Sequence, residues 1–367
     1  MKVLFAGGHG YFPELVGGVE ASTDYLVRGL HERNHEAAVF AALFGGGLFG
    51  LRHRLALKLG LSSVVRDRAP GYCVYRAWRP WLHAGYVTDH FRPDVAVVQA
   101  HNTVPVAEAF EQQKIPVVAY LRNVEFEGLN GDLRDLRGTT YIANSHFTAR
   151  AFAERYGIES TVIRPMIDRS RYSTTSNGRF VTLVNVHPEK GYEKALALSD
   201  ACPDVQFLFI EGWPLTASAL NRVQRDVAER KNVYFERSTT DMTEVYSRTR
   251  ILLAPSKWEE AWGRVASEAH CSGIPVIGSN RGGLGEAIGP GGITLDYDAP
   301  LTDWADAVRS LWDDKERYDE LSAAATAYSK RPELNADAQF DVFMGVLGDA
   351  VGRRVAGHVG TRTAAAG

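Results

Sequence analysis

The sequence is short of cysteine, of net charge and of any long uninterrupted apolar run. Cys73, Cys202 and Cys271 are the only cysteines in 367 residues. Three widely spaced thiols build neither a disulfide framework nor a zinc cluster, and they fit a reducing compartment. Forty-one Lys/Arg against forty-four Asp/Glu leave a formal charge of −3, so global charge gives no argument for nucleic-acid binding. The most apolar stretch, residues 37–51, is too short and too rich in glycine to span a bilayer, which takes about 20 residues. The first residues, Met-Lys-Val-Leu-Phe-Ala-Gly-Gly, lack the apolar core and cleavage site of a signal peptide. The expectation is a cytoplasmic protein without nucleic-acid partners.

The composition that remains is that of a globular chain, 45% hydrophobic and 23% charged. The length suits about two domains. Buried-strand runs alternate with helical patterns through the first half: residues 3–6, 37–42, 95–100, 117–121 and 140–143 read as strands, and 19–33 and 147–156 as helices. Asn144-Ser145 reads as a helix cap. The alternation restarts at residues 179–186 and continues through 205–210, 232–235, 251–256 and 275–277. Two α/β units with parallel sheets follow from this. The boundary is placed at Arg164-Pro165, giving domains 1–164 and 165–336. A helix over 337–352 is expected to cross back to the first domain, and 353–367 to be a disordered tail. A cleft between the domains is the default ligand site.

The most informative stretch runs from Pro255-Ser256 through Glu260-Ala261-Trp262-Gly263 to Glu268. A strand ends, a loop carries Glu260, and a helix opens near Gly263, exposing backbone N–H groups suited to an anion. Glu268 lies inside that helix, where a carboxylate can accept from a vicinal diol or simply face solvent. As a glycosidase pair the two glutamates fit poorly. On one helix they would stand about 12 Å apart, beyond the 5–9.5 Å such enzymes use. Gly8-His9-Gly10 is followed by Pro13 where a dinucleotide fingerprint needs glycine.

Residues 255–277 resemble the signature of retaining glycosyltransferases of family 4. That signature is Pro-Ser, then Glu260, an aromatic and glycine at Trp262-Gly263, Glu268 eight residues after Glu260, and Gly273-x-Pro275-Val276-Ile277. Further similar segments follow the family's order: Gly17-Gly18-Val19-Glu20, Gln99-Ala100-His101-Asn102, Asn144-Ser145, Pro188-Glu189-Lys190-Gly191 and Gly282-Gly283-Leu284-Gly285-Glu286. The resemblance covers about residues 1–292. It implies the GT-B fold, two Rossmann-like doubly wound α/β domains facing a central cleft, with the acceptor on the first domain and the nucleotide-sugar on the second. It implies retaining hexosyl transfer from a nucleotide-sugar donor, UDP-linked in preference to GDP or ADP, to a hydroxyl of an unidentified acceptor.

Residue roles carry over the same way. Gly17 and Gly18 let the backbone approach the donor diphosphate. Lys190 neutralises the departing diphosphate. Glu260 contacts the sugar hydroxyls, with the backbone of Ala261, Trp262 and Gly263 beside it. Glu268 holds the ribose, His101 lies near the reacting sugars, and Glu286 orients the donor loop. The family's arginine five residues before the lysine is replaced by Asn185, so Arg122, Arg164 or Arg281 is the expected substitute cation at the diphosphate or at an anionic acceptor. Asp296-Tyr297-Asp298 has the letters of a metal-binding Asp-x-Asp but lies beyond the signature helix and reads as a surface loop. No metal is expected. An epimerase or phosphorylase of the same fold, or a catalytically silent sugar-nucleotide-binding protein, is the alternative.

One region departs from the overall charge. Residues 51–92 carry eight Lys/Arg (Arg52, Arg54, Lys58, Arg66, Arg68, Arg76, Arg79, Arg92) against Asp67 and Asp89. Leu51, Leu55, Leu57, Leu59 and Leu61 are interleaved with them. The resemblance implies peripheral membrane contact through residues 48–92, since members of the family that act on lipid acceptors meet the membrane with such a patch; an anionic acceptor would use the same charge, and a solvated mobile loop is the plain alternative.

Overall fold

The computed structural model describes residues 1–59 and 62–363. Two compact units divide the chain, Met1–Arg164 together with the segment from Asp337 onward, and Pro165–Ala336. The first unit holds strands β1 (Lys2–Ala6), β2 (Glu36–Ala42), β3 (Val65–Asp67), β4 (Val74–Ala77), β5 (Val95–Gln99), β6 (Val117–Leu121), β7 (Thr140–Ala143) and β8 (Thr161–Val162). Its helices are α1 (Gly18–Glu32), α2 (Gly47–Lys58), α3 (Ala84–Phe91), α4 (Thr103–Gln112) and α5 (His146–Tyr156). The second unit holds β9 (Phe180–Val184), β10 (Phe207–Ile210), β11 (Val233–Glu236), β12 (Thr249–Ala254), β13 (Val276–Ser279) and β14 (Gly292–Leu295). Its helices are α6 (Tyr192–Ala201), α7 (Ala217–Ala228), α8 (Met242–Tyr246), α9 (Arg264–His270), α10 (Leu284–Ile288), α11 (Leu301–Trp312) and α12 (Lys315–Ser329).

The first sheet runs β3-β4-β2-β1-β5-β6-β7-β8 and the second β11-β10-β9-β12-β13-β14. Each is doubly wound. The strand order reverses between β1 and β5 in the first sheet and between β9 and β12 in the second, and such switch points are where open α/β sheets receive ligands. The strands are valine-, leucine- and phenylalanine-rich because helices cover both faces. Val3, Leu4, Phe5, Val95, Val97 and Val98 are fully buried, as are Val181, Phe207, Leu208, Ile251 and Leu252.

Two sequence expectations are corrected. The first sheet is not wholly parallel, since β3 pairs with β4 antiparallel, Arg66 opposite Tyr75. The helix expected over 337–352 is α13 (Ala336–Thr363), so it continues through most of the expected tail. Residues 364–367 of that tail and Leu61 of the leucine-rich stretch lie outside the described residues. The helix from Ala336 packs on α1 through a specific fit. A Cβ on Gly29 would stand 2.7 Å from the Phe340 ring, so glycine makes the room. Phe343 stacks on Phe5 at 6.2 Å, and the Arg33 guanidinium lies 4.1 Å from the Phe340 ring centroid. Among the described residues no helix is long and apolar enough to cross a membrane.

Candidate functional site

At the switch point of the second sheet, two loops meet. One follows β9 and carries Lys190, and the other follows β12 and carries Glu260. Glycine permits their approach. Gly191 has φ +83°, and a Cβ there would stand 1.9 Å from the Pro255 carbonyl oxygen. The loops are joined by Lys257 N and Trp258 N, which both donate to Glu189 O at 3.0 and 3.1 Å. Lys190 Nζ then donates to Glu260 Oε1 at 2.6 Å, and Ser256 Oγ donates to the same oxygen at 2.6 Å. Both charged side chains are largely buried, 18% and 16% exposed, so this ion pair is little screened by water. The Trp213 ring lies 5.2 Å from Lys190 Nζ.

Glu260 is also held through its backbone. It bridges to Gly282, where φ is +64° and a Cβ would stand 2.2 Å from Glu260 O. Gly263 closes the loop at φ +90° and starts α9. Trp262 is buried, with Nε1 donating to Ser267 Oγ at 3.0 Å. Glycines 191, 263 and 282 therefore let three backbone segments converge on one carboxylate.

Glu268, one turn into α9, is buried at 6% exposure. Arg264 Nη2 lies 3.1 Å from its Oε1, and Tyr246 Oη donates to Oε2 at 3.2 Å. Burial, and then the Glu268 carboxylate, hold the Tyr246 hydroxyl well above its ordinary value, which keeps its proton available for that bond. Glu268 is thus bound to its own helix and to α8.

In the first unit, the ends of β1 and β5 meet at the switch point. Gly8 N donates to His101 O at 2.9 Å, and Ala100 and Asn102 on either side of the exposed His101 take left-handed φ of 61° and 59°. Gly17 precedes α1 in extended backbone. Below it, Arg122 Nη1 donates to Val19 O and Thr23 Oγ1, both at 3.1 Å. Gln99 Nε2 donates to the same Thr23 oxygen at 2.8 Å. Glu20 is buried with Oε1 3.0 Å from His9 Nε2. Ser145 caps α5 as expected, its Oγ accepting from Thr148 N at 2.9 Å.

Two of the three cations expected to replace the family arginine, Arg122 and Arg281, have their guanidinium groups engaged elsewhere, and Arg164 is tied down through its backbone. Arg122 is 8% exposed and holds the first turn of α1. Arg281 pairs with Asp298 at 2.9 Å, which ties the Asp296-Tyr297-Asp298 loop to the segment after β13. Arg164 N donates to Gln339 Oε1 at 2.9 Å. Asn185 sits at φ +78°, and a Cβ on Gly212 would touch its side chain at 2.5 Å. Among the described residues no cluster of three His, Cys, Asp or Glu could hold a metal ion.

Ser256, Trp213, Arg264 and Tyr246 were not expected at the site. Ser256 stands in the Pro-Ser pair of the signature. Arg264 stands four residues before Glu268, a spacing that pairs them on one helix; Trp213 and Tyr246 carry no local signal, because each meets its partner only through the fold.

The paired doubly wound units define the architecture of GT-B glycosyltransferases, and solved enzymes share it. HepE of Anabaena, solved in complex with UDP-glucose, superimposes with a TM-score of 0.73 at 18% identity, covering 95% of this chain and 100% of that one. The family model for glycosyltransferase family 4 matches residues 16–171, and that for glycosyl transferases group 1 matches residues 173–328. The chain belongs to this family of glycosyltransferases. Among curated relatives, a protein named D-inositol 3-phosphate glycosyltransferase from Corynebacterium kroppenstedtii is 39% identical over 97 residues, 26% of this chain and 21% of the relative. One of Corynebacterium glutamicum is 35% identical over 138 residues, 35% of this chain and 32% of the relative. The matches thus span a third or less of those relatives' length.

Proposed function

We propose that the chain transfers a hexosyl group from a nucleotide-sugar donor, UDP-linked in preference, to a hydroxyl of its acceptor with retention of configuration. The observation that carries this is the Lys190–Glu260–Ser256 cluster at the switch point of the second sheet. It offers a cation and a carboxylate within one hydrogen bond of each other. A departing nucleoside diphosphate needs the first and a sugar hydroxyl is recognised by the second. Lys190 stabilises charge as it develops on the leaving phosphate, and fixing it in place beforehand removes reorganisation cost from the reaction. Glu260 keeps accepting capacity on Oε2 for donor hydroxyls. Glu268 accepts from the ribose while Arg264 and Tyr246 hold its carboxylate in position. Gly17, Gly18 and His101 retain the roles that the resemblance implies, and Arg122 acts by fixing the helix that follows the glycine pair. No metal enters this reading. The names of the curated relatives make a phosphorylated cyclitol the first acceptor class to test.

Glu260→Ala is expected to lower kcat/KM about 100-fold or more with little change in Tm. UDP is expected to raise Tm, by about 2.7 kcal/mol of stability at a hundred times Kd, and Glu268→Ala to abolish most of that shift. Full activity in Glu260→Ala would remove the assignment. Donor consumption without an acceptor would favour the epimerase, a requirement for inorganic phosphate the phosphorylase, and nucleotide binding without turnover the silent protein.

A further inference from the structure

The carboxylate and the ammonium of the cluster in the second unit differ in freedom. Glu260 is fixed at both ends. Its backbone bridges to Gly282 and accepts from Gly283 N at 2.5 Å, and its Oε1 accepts from Ser256 Oγ at 2.6 Å. Lys190 is fixed at its backbone, where its N–H donates to His187 O at 2.9 Å and Gly191 N donates to Pro188 O at 2.9 Å. Beyond that backbone stands a flexible four-carbon stem whose three ammonium protons are redirected by rotation. The Trp213 ring, 5.2 Å from Nζ, gives the ammonium an aromatic neighbour to turn beside. Trp213 meets His187 edge to face, centroids 5.2 Å apart, so the ring is tied to the same loop.

Among the described residues Lys190 makes one ion pair, with Glu260 at 2.6 Å. The charge that a diphosphate needs is therefore already answered inside the chain. Both side chains are less than a fifth exposed, so separating them leaves a carboxylate short of water and of a counter-ion. A sugar nucleotide relieves that shortage. Its sugar hydroxyls donate to the carboxylate while its diphosphate draws the ammonium. A free nucleoside diphosphate does not. It brings no sugar hydroxyl to that end, and its terminal phosphate turns an additional negative charge towards Glu260.

We propose that Glu260 is the resident counter-ion of Lys190, displaced by an intact sugar nucleotide but poorly by the nucleoside diphosphate left after transfer, so that the pair selects donor over product and re-forms as product leaves. This rests on the donor-site reading above and adds its regulation, the relief of product inhibition. A lysine free of its carboxylate in about one molecule in ten weakens diphosphate binding about tenfold. Only hydrogen bonds and ion pairs are exchanged, and no covalent step is involved.

The test is isothermal titration of the full chain with UDP at low ionic strength, using the parent, Glu260→Gln, Lys190→Met and the double variant. Glutamine keeps the size of the side chain and an oxygen that accepts from Lys190 and Ser256, so the parent Tm is expected. Glu260→Gln is expected to bind UDP about tenfold tighter than the parent, the opposite of what loss of an ordinary binding residue does. In the Lys190→Met background the same change is expected to gain about threefold or less, because only relief of charge repulsion remains. UDP binding by the parent with no gain in Glu260→Gln overturns the inference and leaves the donor site standing. So does an equal gain in both backgrounds, which would show that Glu260 acts on UDP without acting through Lys190. UDP binding by none of the four proteins removes the donor-site reading and the inference together.

Discussion

Glu260 is held by a lysine 70 positions before it in the chain and by the backbone of a glycine 22 positions after it, so its orientation belongs to the fold and not to the loop that carries it. The glycines are the sensitive points of that arrangement. Gly191→Ala forces a Cβ into the Pro255 carbonyl and is expected to cost on the order of 2–4 kcal/mol, read as a fall in Tm, with loss of transfer as Lys190 is displaced. A second prediction concerns pH. His270 ends α9 at 1% exposure, and burial, with the nearby Arg331 charge adding to it, lowers its pKa to about 4. The unfolded chain takes up that proton near pH 6.5, the folded one only near pH 4. Stability is therefore full above 6.5 and falls as pH drops from 6.5 towards 4, by on the order of 3 kcal/mol. His270→Gln should flatten that part of the Tm-against-pH curve. A slope unchanged by the substitution would show that other groups set it.

At the scale of elements, what was legible in the sequence tracks how strongly each segment announces itself. The β-runs that are buried on both faces were readable because they are apolar almost throughout, Gln99 and Thr182 being exceptions. The caps were readable too, since Ser145 does what its side chain predicts. Helix α2 was not legible as a helix, because Gly45, Gly46, Gly47 and Gly50 depress local helix propensity about as far as composition allows. The β3–β4 ribbon was missed because a three-residue strand carries no periodicity. The signature placed Lys190 and Glu260 as candidates by resemblance, but their bond to each other is a pairing of distant loops that no spacing encodes. The continuation of α13 past residue 352 was hidden by small and polar residues that read as a tail. Its docking on α1 is testable. Phe340 is 1% exposed and fills the space left by Gly29, so Phe340→Ala should cost about 3–5 kcal/mol in the first unit, with a Tm drop to match.

For the whole molecule, two units with separate sheets and separate cores are expected to unfold as two calorimetric transitions. UDP should raise the transition of the unit that contains Lys190, Glu260 and Glu268. Phe340→Ala should lower the other. A single transition moved equally by both would show that the units are thermodynamically one.

The route of the chain has a consequence for its synthesis. Everything from Pro165 to Ala336 lies between two parts of the same unit, Met1–Arg164 and the helix that begins at Ala336. A ribosome therefore releases a complete second unit while the first still lacks the helix that covers Phe5 and Gly29. Domains usually finish in the order they are made. Here the unit begun first is sealed last, and its unfinished apolar face is open to chaperones for as long as it takes to translate the intervening 172 residues.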